Sequence, residues 1–148
     1  MTIYSQKNPI WKDELLGNSN LTIGSYGCLV TCLAMIIDNA PNIVNIKLKT
    51  VNGFVGALVI WNKIQPAFSN LKFVWRSAVY DNNAVLSQIK RNGFCVVQAT
   101  NRFSKGTHWV LFIGNKRLLD PATGIERSTG VYSNLLWKYS GFAAIDRV

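Results

Sequence analysis

The apolar pattern changes period near the middle of the chain, and that change constrains the fold more than any other feature. Before Asn92 the pattern is mostly helical. Cys28 to Asn39 is apolar almost all round, as a buried helix is, and Asn39-Ala40-Pro41 stops it. Asn42 is expected to cap a second helix running to about Asn52, with Ile43, Ile46, Leu48 and Val51 on its inner side. A third is predicted after Gly53-Phe54-Val55-Gly56, carrying Leu58, Trp61, Ile64 and Gln65 up to Pro66. Asn83 starts a short helix, Ala84 to Arg91, closed by Asn92-Gly93. Only Leu71 to Val79 alternates in this half, with Leu71, Phe73 and Trp75 on one side. From Phe94 onward the runs are short and β-rich: Phe94–Ala99, His108–Ile113, Arg117–Leu119 and Phe142–Ile145. Gly114-Asn115 is a tight hairpin signal, and Pro121-Ala122-Thr123-Gly124 a second turn. Helices grouped first and antiparallel strands after predict an α+β domain, N-terminal helices packed on a small antiparallel sheet, rather than βαβ units.

One such domain accounts for residues 1–148, since no repeat, linker or low-complexity tract divides them. Hydrophobic residues are 49% and charged residues 16%, which excludes a disordered chain. The longest apolar run, Leu29 to Ile37, is far short of the ~20 residues of a membrane span. Met1 to Gln6 lacks the basic and apolar blocks of a signal peptide, so a soluble, cytoplasmic protein is expected, with phage origin or release by lysis compatible with that. Sixteen Lys plus Arg against seven Asp plus Glu give a net charge of +9, which favours contact with an anionic polymer. The cations never cluster and no nucleic-acid signature appears, so nucleic-acid binding is not the expected role.

Three cysteines, Cys28, Cys32 and Cys95, cannot all pair within one chain, and none has metal-ligand spacing. Free thiols in a reducing compartment are expected, with no metal and no cofactor. Cys28 follows the Gly-rich stretch Gly24-Ser25-Tyr26-Gly27 at the start of the buried helix. A helix N-terminus and a nearby imidazolium both favour the thiolate, the form that acts as nucleophile. Gly27 is expected to let the chain turn sharply and approach a substrate. Cys32 and Cys95 lie in apolar surroundings and read as core residues.

His108 is the one histidine of the chain. A solitary histidine is commonly structural, and an Asp-Pro dipeptide is commonly just a turn. Here the two are related by the hairpin: Asp120 follows His108 by twelve residues across Gly114-Asn115, so antiparallel pairing brings them side by side. Asp120 could then accept from one ring nitrogen and leave the other for proton transfer. Gln6 is the fourth candidate. Its amide and the Cys28 backbone N–H could together hold an oxyanion, although a glutamine alone carries no such signal. Tyr26 and Trp109 flank Cys28 and His108 in sequence and are candidate cleft-lining residues, with an ordinary core role as the competing reading.

The order Gln6, Cys28, His108, Asp120 resembles the papain-like cysteine peptidases. It is most similar to the peptidases that remove double-glycine leaders from bacteriocin precursors and to their stand-alone bacterial and phage relatives. The matching stretches are Tyr4–Trp11, Leu16–Cys28, Gly106–Leu111 and Leu119–Gly124, which span most of the chain in the family's order. The resemblance implies a papain-like fold, Gln6 as oxyanion donor, Cys28 as nucleophile, His108 as general base and acid, and Asp120 as its orienter. It also implies a peptide or protein substrate, with Tyr26, Gly27 and Trp109 beside it. The Cys-Gly-Ser-Cys-Trp signature of papain itself is absent, and there is no attached transporter.

The expected activity is therefore hydrolysis of a peptide or isopeptide amide through a Cys-His-Asp triad. The alternatives are a related thiol acyl-transfer enzyme, either a cell-wall peptide amidase of the endolysin kind or a transglutaminase, and a binding or inhibitor module on the same fold. Transfer to an added amine would mark the transglutaminase. A non-catalytic module has no need of the complete Gln, Cys, His and Asp set.

Overall fold

Cys28–Ile37 forms the central helix, α2, because its apolar residues leave no polar face: Val30 through Ile36 are all buried. The computed structural model describes residues 1–148. A single turn, α1 (Ile23–Tyr26), precedes α2 and is capped by Thr22, whose hydroxyl accepts from Ser25 N–H. Asp38 ends α2 in the left-handed conformation, at φ 57°, and Pro41 opens α3 (Pro41–Thr50) at its first position. Ala40 rather than Asn42 is the N-cap of α3, and the buried face is Pro41, Val44, Asn45 and Leu48, with Ile46 in solvent.

The helix predicted after Gly56 does not form as such. Gly56, at φ +60°, and Ala57 instead turn a small hairpin, β1 (Phe54–Val55) against β2 (Leu58–Val59). A 3₁₀ turn, Trp61–Lys63, and the one-turn helix α4 (Ile64–Ala67) follow. Pro66 is tolerated inside α4 because a first-turn N–H has no intrahelical partner to lose.

The remaining strands are β3 (Leu71–Ser77), β4 (Phe94–Asn101), β5 (Thr107–Gly114), β6 (Arg117–Asp120), β7 (Ile125–Ser128) and β8 (Trp137–Arg147). They make one six-stranded antiparallel sheet in the order β3-β8-β4-β5-β6-β7. β7 escaped the sequence reading because it is a mostly exposed edge strand with no apolar alternation. The β5–β6 turn is made by Asn115 and Lys116, both at positive φ, one residue beyond the predicted pair. Helix α5 (Asn82–Lys90), capped by Asp81, completes the α+β architecture.

The sheet is a middle layer, not a floor under one set of helices. β5 gives Trp109 and Leu111 to the core beneath α2, and Val110 and Phe112 to the opposite core beside Val85 of α5. His108 therefore alternates onto the α5 side of the sheet, whereas α2 packs on the other. No single helix is long and apolar enough to cross a membrane.

Candidate functional site

The start of α2 is pinned to β5 through the backbone of one residue, Trp109. Trp109 N–H donates to Cys28 Sγ at 3.4 Å, and Cys32 Sγ donates to Trp109 O at 3.6 Å. The second bond requires Cys32 to keep its proton, and burial, together with the neighbouring Cys28 and Asp120 charges, pushes that thiol well up. Cys28 is half-buried and lies next in space to the residue that follows His108, at the end of the sheet where both faces are reached.

His108 Nε2 and Asp120 Oδ1 are 2.9 Å apart. The expected side-by-side pairing is corrected in detail. The register Leu111 to Leu119 and Phe112 to Leu118 sets Asp120 opposite Val110, so His108 reaches it diagonally along the same face. Asp120 is fully buried and receives three further donors: Ala122 N–H at 2.9 Å on Oδ1, and Arg127 Nη1 at 2.9 Å with Tyr132 Oη at 2.7 Å on Oδ2. Burial opposes its ionisation, but the bonds from His108, Tyr132, Ala122 and Arg127 outweigh this and hold the carboxyl at about 2. Burial likewise works against the imidazolium. The hydrogen bonds with Asp120 and Cys28, and their charges, reverse that and raise His108 to about 9. With Nε2 on the carboxylate, Nδ1 is the ring nitrogen left for Cys28.

Gln6 is locked by two other segments, the turn after β6 and α1. Its backbone N–H donates to Pro121 O at 2.8 Å, just beyond Asp120, and Nε2 donates to Gly24 O at 3.1 Å. The side chain is buried, and one of the two amide hydrogens is unclaimed. The N-terminal segment, α1, β5 and the β6–β7 turn thus converge, and one cleft of about 470 Å³ is lined by Gln6, Cys28 and His108 together.

The other predicted residues divide. Tyr26 is exposed and lines that cleft. Trp109 borders it too but is mostly core, its ring packed on Trp61 at 5.4 Å and under Arg76 at 5.4 Å. Gly27 is corrected: its φ of −86° suits any residue, and it faces the protein, not the cleft. A Cβ there would stand 2.5 Å from Ile23 O, so glycine is required for α1 to abut α2. Arg127 and Tyr132 were missed. The alternation of β7 against β6 could have found Arg127, which stands opposite Leu118, two residues along the face from Asp120. Nothing in the sequence signals Tyr132, which arrives on a 3₁₀ turn, Thr129–Tyr132.

The arrangement combines a thiol, an imidazole oriented by a buried carboxylate, and an amide donor. That set is suited to nucleophilic attack on an acyl carbon with proton transfer. No protein-family model matches the chain, and comparison with curated proteins and with solved structures likewise found no significant match.

Proposed function

We propose that this protein is a cysteine peptidase of the papain-like, leader-peptidase-like kind that hydrolyses a peptide or isopeptide amide. The observation that carries the reading is the 2.9 Å contact of His108 with Asp120 beside a thiol at the start of α2. Cys28 Sγ attacks the carbonyl carbon, forming the C–S bond. Gln6 Nε2–H and the Cys28 N–H, which at the first helical position has no partner within α2, receive the oxyanion. His108, charged up to about pH 9, protonates the leaving amine as the C–N bond breaks. The neutral ring then takes a proton from water, which attacks the thioester and releases the acid and the thiol.

The test needs no known substrate. Brief treatment of the folded protein with iodoacetamide near pH 6 should modify Cys28 alone, read by mass spectrometry. An ordinary thiol is under about 1% ionised there. Burial raises Cys95 to about 12 and pushes Cys32 well up too, so neither should react. His108→Ala should slow the labelling, and Cys28→Ala should abolish hydrolysis of any peptide the wild type cleaves. Indiscriminate labelling, or full turnover by Cys28→Ala, would refute the reading.

A further inference from the structure

Two hollows meet at the Cys28–His108 pair, sharing the wall formed by Gln6, Ser25, Tyr26, Thr107 and His108. Beyond that wall their chemistry differs. The hollow that contains Cys28, of about 470 Å³, is lined mainly by Leu16, Leu21, Leu29, Val30, Leu58 and Val59; its one lysine, Lys105, donates its ammonium to Arg102 O at 2.8 Å. Leu58 and Leu21 stand at its mouth 74% and 39% exposed, so their apolar surface is unsatisfied in the free protein. The second hollow, of about 760 Å³, does not include Cys28 and is edged by Lys7, Lys12, Asp13 and Thr22. Neither lysine takes part in an ion pair. Asp13 offsets one of the two charges, and an excess of one cation remains, on a chain of net charge +9.

We propose that these hollows select the substrate by polarity: an aliphatic side chain on the acyl side of the scissile bond, and an acidic segment on the leaving side. The assignment of sides rests on the peptidase reading above. The acyl carbon must bond to Cys28 Sγ, so the acyl portion lies in the hollow holding the sulfur. The leaving nitrogen takes its proton from His108, so the chain beyond it runs into the hollow that has the imidazole but lacks the sulfur. An aliphatic side chain in the first displaces water from Leu21, Leu29, Leu58 and Val59, the four of these residues that solvent reaches, and glycine gains none of this. Carboxylates in the second meet Lys7 and Lys12, neither held in an ion pair, with a net excess of one positive charge over Asp13.

Four labelled peptides test this, with Leu or Gly before the scissile bond and Glu-Glu or Lys-Lys after it. Binding is measured by fluorescence anisotropy on Cys28→Ala, and hydrolysis on the wild type. Leu should bind about 10–100-fold more tightly than Gly. Glu-Glu should exceed Lys-Lys by about 5–10-fold at low salt, a ratio that shrinks as salt screens the exposed lysines. The double variant Lys7→Glu, Lys12→Glu should reverse the second preference, and Leu58→Asp should erode the first, with thermal melting as the folding control. Equal affinities across the four peptides, or preferences that survive these substitutions, would overturn the proposal. Binding with the expected preferences but no cleavage of any peptide would uphold the polarity and refute the peptidase reading.

Discussion

Asp120 holds four donors on two oxygens, which makes it the most demanding single position in the chain. Asp120→Ala strands the Arg127 guanidinium and the Tyr132 hydroxyl. Arg127 is 31% exposed and can rehydrate, so the cost is mainly that of unmade buried hydrogen bonds, about 1–3 kcal/mol, which denaturant unfolding should register along with loss of activity. Asp120→Asn keeps an acceptor for His108, but its amide NH₂ then faces Arg127, which cannot accept. It should be milder than alanine and still clearly impaired, and equal activity in the two variants would reduce Asp120 to a turn residue. Gln6→Ala should lower kcat by about 10²–10³ with little change in KM, the loss expected for one oxyanion donor. A change in KM alone would instead make Gln6 a substrate-positioning residue.

At the scale of elements, the junction of α1 and α2 decides where the thiol sits. The two helices share Gly27 as C-cap and N-cap, and Gly27 N–H bonds to Ile23 O at 2.8 Å. In Gly27→Ala the new methyl group would meet Ile23 O at 2.5 Å and Ile23 Cγ2 at 2.8 Å. The helices must then part, at a cost of about 1–3 kcal/mol, and Cys28 moves with them. Both the denaturation midpoint and the rate of Cys28 alkylation should fall. Gly130→Ala is the control: its nearest neighbour would be Ser128 Oγ at 3.7 Å, so stability should hold or rise slightly. If both variants behave alike, the tight junction is not what positions the thiol.

The whole molecule carries a pH signature from one network. His108 is raised from its ordinary 6.5 to about 9, so its stabilising contribution is complete below about pH 6.5 and is lost as pH rises through 9. Asp120 is lowered from 3.8 to about 2, so its contribution is complete above about pH 4 and is lost as pH falls through 2. Stability from this pair is therefore greatest between about pH 4 and 6.5. Unfolding midpoints followed from pH 5 to 10 should decline on the alkaline side in the wild type, and His108→Ala should flatten that decline. Activity that needs an imidazolium donor should fall over the same interval, with an apparent midpoint near 9. An unchanged alkaline slope in His108→Ala would mean the ring is not coupled to the fold as described.

Local rules carried the sequence a long way where an element could satisfy itself. The all-apolar run of α2, the Asn115 turn and the alternation of β4 and β5 are decided by neighbours within a few residues, so composition and period reveal them. The same holds for the candidates Gln6, Cys28, His108 and Asp120, whose residue types and order are legible in the sequence. The 58–66 segment was misread because apolar spacing alone cannot distinguish a helix from a hairpin closed by Gly56 at positive φ. Only tertiary structure decided the rest. The sheet separates α2 from the face that bears His108 and Asp120, and it is the backbone of Trp109, bonded through its N–H to Cys28 and its C=O to Cys32, that brings thiol and imidazole together across its end. Arg127 and Tyr132 reach Asp120 from an edge strand and a 3₁₀ turn whose own sequences need no such partner. Their positions follow from burying a carboxylate that must be neutralised, a requirement that exists only once the chain has folded around it.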